Sequence, residues 1–365
     1  MRGIYIHIPF CHSKCFYCDF YSTPRNDLFE RFVDALIAEW EERHNDNEEF
    51  HTLYLGGGTP STLPPSQLRR IFNCFSGMPF EEVTIEVNPE DVTREFLTFL
   101  KDTPVNRVSM GVQSTNDEEL KRIGRRHSAT QALDAALLIK ENGFDLSLDL
   151  IYGLPGQTYD SWNRSLGDIL NLRPDHLSAY LLSFEPNTRL SVMKRRGEVR
   201  EATDFEAQNY YDTLCRTAAE SGYEHYEISN FALPGKRALH NSNYWNLTPY
   251  LGLGPGAHSF DGRSRSYNPS NLKEYILAGG KGFNVKEQAE PNDALNDYLI
   301  IRLRTSDGLD LIDFEERFGE KATGQLRREL NRQLLKGLLI SDGKKYRIPE
   351  NHWLISDSII SSLLF

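Results

Sequence analysis

The chain has no run approaching the roughly 20 apolar residues that a membrane-spanning helix needs, and its first residues lack the basic stretch, apolar core and small-residue cleavage site of a secretory signal. These absences argue against a spanning or exported protein and point to the cytoplasm. Positive charge is not in excess either: 41 Lys and Arg stand against 52 Asp and Glu, a formal net charge of -11. Without a basic field to attract phosphates, nucleic acid is not an expected partner. The best basic run, residues 194–196, reads as a solvated loop. Low-complexity tracts and obvious short repeats are missing, which argues against disorder. Cysteine is scarce and odd in number: five in 365 residues, three of them crowded into eight positions. That is a poor disulfide framework and fits a reducing compartment. Cys74 and Cys215 stand alone in helical patterns and read as buried, inert thiols.

What is present is a long alternation. Apolar runs at residues 4–8, 52–55, 82–87, 107–112, 146–151 and 176–182 are separated by amphipathic segments, the clearest of which sets Leu28, Phe29, Phe32, Val33, Leu36, Ile37 and Trp40 on one helical face. Six such units imply a parallel sheet with helices outside and ligands at the carboxyl ends of the strands. Two units short of a closed eightfold barrel, they predict an α/β fold: an incomplete, laterally open (β/α)6 barrel over residues 1–235. Residues 236–282 belong to a glycine- and aromatic-rich stretch that ends in Gly279-Gly280-Lys281-Gly282, and read as a connecting segment. Over residues 283–365, two helical patterns (291–303 and 323–338) precede a hairpin turning at Asp342-Gly343, which predicts a small C-terminal α+β, winged-helix-like domain. Acidic residues interrupt its basic ones, so a packing or lid role is expected rather than DNA binding.

Cys11, Cys15 and Cys18 follow the first strand directly, with three and then two residues between them. Thiolates are soft ligands suited to iron–sulfur clusters or zinc. A structural zinc ion wants four protein ligands, and here only His7 or His12 could complete the set. A four-iron cubane held by three cysteines keeps one iron open to an exogenous ligand. A glycine turn, Gly56-Gly57-Gly58-Thr59, follows the second strand, where it lets backbone approach a ligand and can expose several N–H groups. Glu86, Gln113 and Asp149 each place a polar group late in an apolar strand, a recurrence that favours a shared ligand. Arg125 could neutralise a carboxylate.

The CxxxCxxC spacing behind the first strand of a βα repeat resembles the radical S-adenosylmethionine superfamily. That resemblance implies a [4Fe-4S] cluster on Cys11, Cys15 and Cys18 whose open iron chelates the amino and carboxylate groups of S-adenosylmethionine. The opening Tyr5-x-His7-x-Pro9-Phe10-Cys11 is similar to the oxygen-independent coproporphyrinogen III oxidase-like family, which includes the heme chaperones. Carried over by position, Tyr5, Gly57 and Glu86 are implied as contacts to the cluster-bound cofactor. Tyr17, Gly58, Thr59, Gln113, Arg125 and Asp149 match positions that meet a second cofactor molecule in the oxidases. Phe20 stands where the oxidases have a fourth cysteine, and Cys11 comes without their long preceding extension, both as in the chaperone (HemW) branch. His240-Asn241-Ser242-Asn243-Tyr244-Trp245 resembles the HNxxYW motif of that branch, and implies His240 as an axial heme ligand with Asn241, Tyr244 and Trp245 beside it. The implied function is a heme chaperone that binds heme and passes it to an acceptor protein, a membrane-associated one among the options, with exchangeable S-adenosylmethionine on its cluster. The alternatives are radical oxidative decarboxylation of coproporphyrinogen III and a zinc-stabilised interaction module. No catalytic residue is assigned.

Overall fold

Ile4, Ile6 and Ile8 alternate along β1 (Gly3–Ile8) and are fully buried, which fixes one face of the strand against the helices outside it. The structure, a computed structural model, describes residues 2–45 and 47–365; Met1 and Asp46 lie outside it. β1 pairs in parallel with β2 (Thr52–Gly57), and β3 (Glu82–Val87), β4 (Arg107–Gln113), β5 (Asp145–Tyr152) and β6 (His176–Leu181) follow in chain order, also parallel. Each crossover carries helix, beginning with Phe29–Arg43, which buries Phe32, Val33, Leu36 and Trp40. Hydrophobic burial of this kind contributes about 1.5–3 kcal/mol per large side chain. Ser128 with Gln131 and Thr158 with Ser161 close capping boxes at two later helices, so those helices start where the sequence supplies partners for their first N–H groups.

The six expected strands are therefore all present, in an α/β fold with a mostly parallel sheet. The sheet also runs on at both edges. Beyond β6 lie β8 (Asn230–Ala232) and then β7 (Glu224–Glu227), antiparallel; beyond β1 lies β9 (Tyr250–Leu253), parallel, then β10 (His258–Phe260), β11 (Arg265–Tyr267) and β12 (Val285–Lys286), antiparallel. Three of these strands fall inside residues 236–282, so the stretch read as a connecting segment is part of the sheet. Strands of three or four residues are too short for alternation to reveal them. At Gly252 a Cβ would lie 1.9 Å from the His258 carbonyl oxygen, so glycine is what lets β9 and β10 approach.

The Leu239–Trp245 helix lies under the amino ends of the strands. The backbone N–H groups of Leu239 and His240 donate to Glu82 at the start of β3, and Glu82 is paired with Arg107 at the start of β4. This helix thus closes the floor of the barrel, opposite the cysteine loop.

In the C-terminal part, the helix Asp293–Leu303 precedes β13 (Leu309–Asp310), the helix Leu311–Leu335, β14 (Ile340–Ser341) and β15 (Lys345–Arg347), with a three-stranded sheet in the order β13-β15-β14. Gly319, at φ 83° and ψ 166°, breaks the long helix in two; its first half was not legible as helix in the sequence. The hairpin turns at Asp342-Gly343 as expected. Two thiols differ from expectation, since Cys74 and Cys215 are half-buried rather than buried. Lys194 and Arg195 end a helix (Arg189–Arg195) rather than occupying a loop, where positive charge complements the carbonyl end. Among the described residues no helix is long and apolar enough to cross a membrane.

Candidate functional site

The carboxyl ends of β1–β6 surround a cavity of about 500 Å³. Cys11, Cys15, Cys18, Tyr17, Gly57, Gly58, Thr59, Glu86, Gln113, Arg125 and Asp149 line it, and at its lower end it reaches Asn241. The residues singled out in widely separated segments therefore converge on one space. Tyr5 stands outside the lining: its hydroxyl meets His7 Nδ1 at 3.2 Å and its ring packs on Tyr54.

The cysteine loop is closed at its neck by Cys11 N–H donating to the Thr23 carbonyl (3.1 Å) and Thr23 N–H donating to the Pro9 carbonyl (2.9 Å). The Phe16 ring anchors its middle under the Arg189 guanidinium, 3.8 Å away. The three thiols are left half-exposed. His7 has both ring nitrogens engaged, with Tyr5 and with the Tyr21 carbonyl, so it turns no free nitrogen to a zinc ion, and His12 pairs through Nε2 with Asp91.

A hydrogen-bonded chain ties two of the cysteines together. Arg125 Nη1 donates to Cys15 Sγ (3.6 Å) and its Nη2 to Asn88 Oδ1 (2.7 Å); Asn88 Nδ2 donates to Thr59 Oγ1 (3.0 Å), which lies 3.4 Å from Cys11 Sγ. Arg125 also donates to the Gly111 carbonyl, so the guanidinium expected to clamp a carboxylate is here committed to the cluster loop and its supports. Asn88 was missed in the sequence, although its place at the end of β3, two residues after Glu86, was a signal. Burial pushes the Cys18 thiol up to about 11 and raises Cys11 as well. Metal uptake must therefore displace protons, and the Arg125 charge eases that at Cys11.

The glycine turn is used differently from expectation. Gly57 N–H donates to Glu86, Gly58 N–H to the Ile8 carbonyl (2.8 Å) and Thr59 N–H to the Phe10 carbonyl (2.7 Å), so these donors hold the turn against β1 and β3 instead of facing a ligand. At Gly58 a Cβ would stand 2.5 Å from the Phe10 carbonyl oxygen. Gly58→Ala should force the turn off the base of the cysteine loop. We expect a loss of about 1–3 kcal/mol in thermal unfolding of the apoprotein, together with lower iron uptake; unchanged stability would mean that the backbone can yield there.

Two carboxyl groups share the cavity. Burial pushes Glu86 up to about 7, although Tyr54 and the Gly57 N–H both donate to it, and pushes Asp149 up to about 6, with Ser109 and Ser178 as partners. Gln113 has φ +68°, and the pairing of β4 with β5 shifts register between Gly111 and Gln113. A left-handed non-glycine residue costs about 1–3 kcal/mol, and such irregularities re-aim side chains; here the result is an amide at the cavity wall. Phe20, 64% exposed, stands at the rim with the exposed Tyr180 and Leu181.

His240 is 1% exposed. Its Nδ1 meets Thr52 Oγ1 (2.9 Å), its Nε2 meets the Tyr244 hydroxyl (2.9 Å), and its ring stacks on Tyr54. Both nitrogens are thus engaged, at the end of the barrel opposite the thiols. Tyr244 and Trp245, both partly exposed, line a separate cavity of about 300 Å³ with Tyr250, Phe260, Ile300 and Ile301, between the floor helix and the C-terminal part.

Residues 5–169 match the family model of the radical SAM superfamily, and residues 289–355 that of the HemN C-terminal domain. The chain is similar to a heme chaperone HemW of Lactococcus lactis (32% identical, over 100% of this chain and 97% of that one) and to another of Bacillus subtilis (31% identical, over 100% and 99%). Its fold is similar to the solved structure of coproporphyrinogen III oxidase (HemN) from Escherichia coli, a radical SAM enzyme: TM-score 0.84 over 99% of this chain and 90% of that one, at 24% identity.

Proposed function

Since the chain belongs to the HemW family of radical S-adenosylmethionine proteins, we propose that it is a cytoplasmic heme chaperone that carries a [4Fe-4S] cluster with exchangeable S-adenosylmethionine and passes heme to an acceptor protein. The observation that carries this reading is the end-to-end similarity to relatives named heme chaperone. Within the chain, Cys11, Cys15 and Cys18 are the ligands of the cluster: three accessible thiols at the mouth of a cavity, supported by the Arg125–Asn88–Thr59 chain, are a donor set that fits it. When bound, the cluster supplies an open iron for the methionine end of the cofactor and an electron. Glu86 and Asp149 would then face the cationic cofactor, and Gln113 and Tyr17, which also line the cavity, would shape its wall.

The two raised carboxyls give this reading a pH signature. A carboxyl raised by burial stabilises the fold through its neutral form; that contribution is fully present below the ordinary values of 4.5 and 3.8, and is lost as pH rises through about 7 for Glu86 and about 6 for Asp149. A cation at the site favours the ionised forms. S-adenosylmethionine affinity should therefore increase as pH rises through this window, by up to about tenfold per unit for each proton released. Calorimetric titration on either side of the window checks this, and Glu86→Gln with Asp149→Asn should flatten the dependence.

Heme is assigned to the cavity beside Tyr244 and Trp245. Its lining, with Tyr244, Trp245, Tyr250, Phe260, Ile300 and Ile301, would supply an apolar wall for the macrocycle, and it does not include His240. For His240 to serve as axial ligand, the Tyr244 hydroxyl must leave Nε2 while Thr52 keeps Nδ1, a backing hydrogen bond of the kind that orients ligating imidazoles. Hemin titration of the anaerobically prepared protein tests this. Tyr244→Phe, which removes the competing hydroxyl, should bind heme more tightly, and His240→Ala should change the heme spectrum. No heme uptake would remove the chaperone reading. Formation of protoporphyrinogen from coproporphyrinogen III with release of 5'-deoxyadenosine would replace it with the decarboxylase.

A further inference from the structure

We propose that Cys215, His225 and Glu350 form a second metal site, suited to zinc, that fastens the C-terminal part to the edge of the barrel. Cys215 lies on the helix Asp204–Glu220, His225 in β7 at the edge of the large sheet, and Glu350 opens the 3-10 helix Glu350–Ile355 of the C-terminal part. Their ligand atoms all lie within 4.8 Å of one another. Cys215 Sγ is 3.8 Å and Glu350 Oε1 2.5 Å from the same nitrogen, His225 Nδ1.

The direction of that nitrogen decides the chemistry. His225 Nε2 lies 3.4 Å from the Ile228 carbonyl oxygen. A carbonyl only accepts, so Nε2 carries a proton, and in the neutral ring the Nδ1 lone pair turns toward the thiol and the carboxylate. Three such donors this close together suit a shared cation, a metal ion or a proton, among them. A backbone carbonyl on the far ring nitrogen is also the usual support behind a metal-bound imidazole. The ring cannot easily turn away: it stacks on Phe231 at 4.0 Å and 14° and meets Trp353 edge-on at 4.2 Å.

One sulfur, one imidazole and one carboxylate match the borderline-soft character of zinc, with a water to complete the tetrahedron on the side where Glu350 is half exposed. Zinc bonds of about 2.0–2.3 Å separate adjacent ligand atoms by about 3.3–3.8 Å. Sγ and Nδ1 already stand that far apart, and the Glu350 carboxylate has to withdraw by about 1 Å. The competing occupant is a proton, which would make His225 and Glu350 an ion pair with Cys215 beside it. The site is independent of the heme reading and of the cluster loop.

The test uses the full chain with its cluster assembled, dialysed against zinc sulfate and desalted, with metals counted by mass spectrometry and the zinc environment read by X-ray absorption. About one zinc per chain is expected, with a single sulfur at about 2.3 Å and the remaining ligands nitrogen or oxygen. Cys215→Ser and the solvent-facing Glu350→Gln should each weaken zinc binding at least about tenfold and leave the iron content unchanged. The proposal is overturned if zinc is not retained, if both variants hold it as the wild type does, or if its shell contains three sulfurs, which would place it in the Cys11–Cys15–Cys18 loop.

Discussion

Cys11→Ala, Cys15→Ala and Cys18→Ala should each abolish the iron–sulfur cluster and leave the fold standing. A cubane with three protein ligands already has one iron outside protein control, and losing a second anchor exposes it to solvent and oxidation. Iron should fall from about four per chain to near zero, together with the visible absorption. The fold has little at stake in the thiols: all three are half-exposed, and the loop is held by backbone bonds at Cys11, Thr23 and Pro9 and by the Phe16 ring. Apoprotein melting for the Cys11 and Cys18 variants should therefore stay within about 0.5 kcal/mol of wild type. Cys15→Ala should cost more, because the half-buried Arg125 loses an acceptor. A variant that keeps its full iron content would remove that cysteine from the ligand set.

His240→Ala should destabilise the apoprotein by about 2–4 kcal/mol, by combining a buried cavity with a broken polar cluster. The ring leaves behind Thr52 and Tyr244 without their shared partner, and Tyr54 loses one of its two stacking partners. The floor helix has seven residues and depends on its contacts more than on its length. Urea unfolding measures the loss, and a value under about 1 kcal/mol would show that the floor is fastened elsewhere. The same ring makes the fold acid-sensitive. Burial holds His240 down to about 3, so the unfolded chain takes up a proton near the ordinary value of 6.5 that the native ring refuses. The stability this contributes is present above 6.5 and declines as pH falls toward 3; His240→Ala should remove that part of the slope.

The sequence disclosed what was long or repeated. β1 to β6, at six to eight residues each, carried enough apolar residues to be seen, whereas β7 to β12, at two to four, did not. The cluster loop was legible because the spacing of three cysteines is local information. Asn88 was passed over because its importance lies in joining Arg125 to Thr59, residues distant from it in the chain. The glycine turn was visible as a turn, but which way its N–H groups point depends on the approach of Phe10 and Glu86. The HNxxYW motif could be matched by its letters, yet its depth under Tyr54, and its engagement with Thr52, follow from a strand elsewhere in the chain folding beside it.

Tyr54 gives the molecule an internal line of communication. Its ring rests against His240 at the floor, its hydroxyl donates to Glu86 in the upper cavity, and the other oxygen of Glu86 accepts from Gly57 in the turn beside the cysteine loop. A ligand that changes the charge on Glu86 therefore acts on a side chain in contact with the floor histidine. Linkage makes any such influence reciprocal: a change at His240 on the floor would act on Glu86 in the same measure as a change at Glu86 acts on His240.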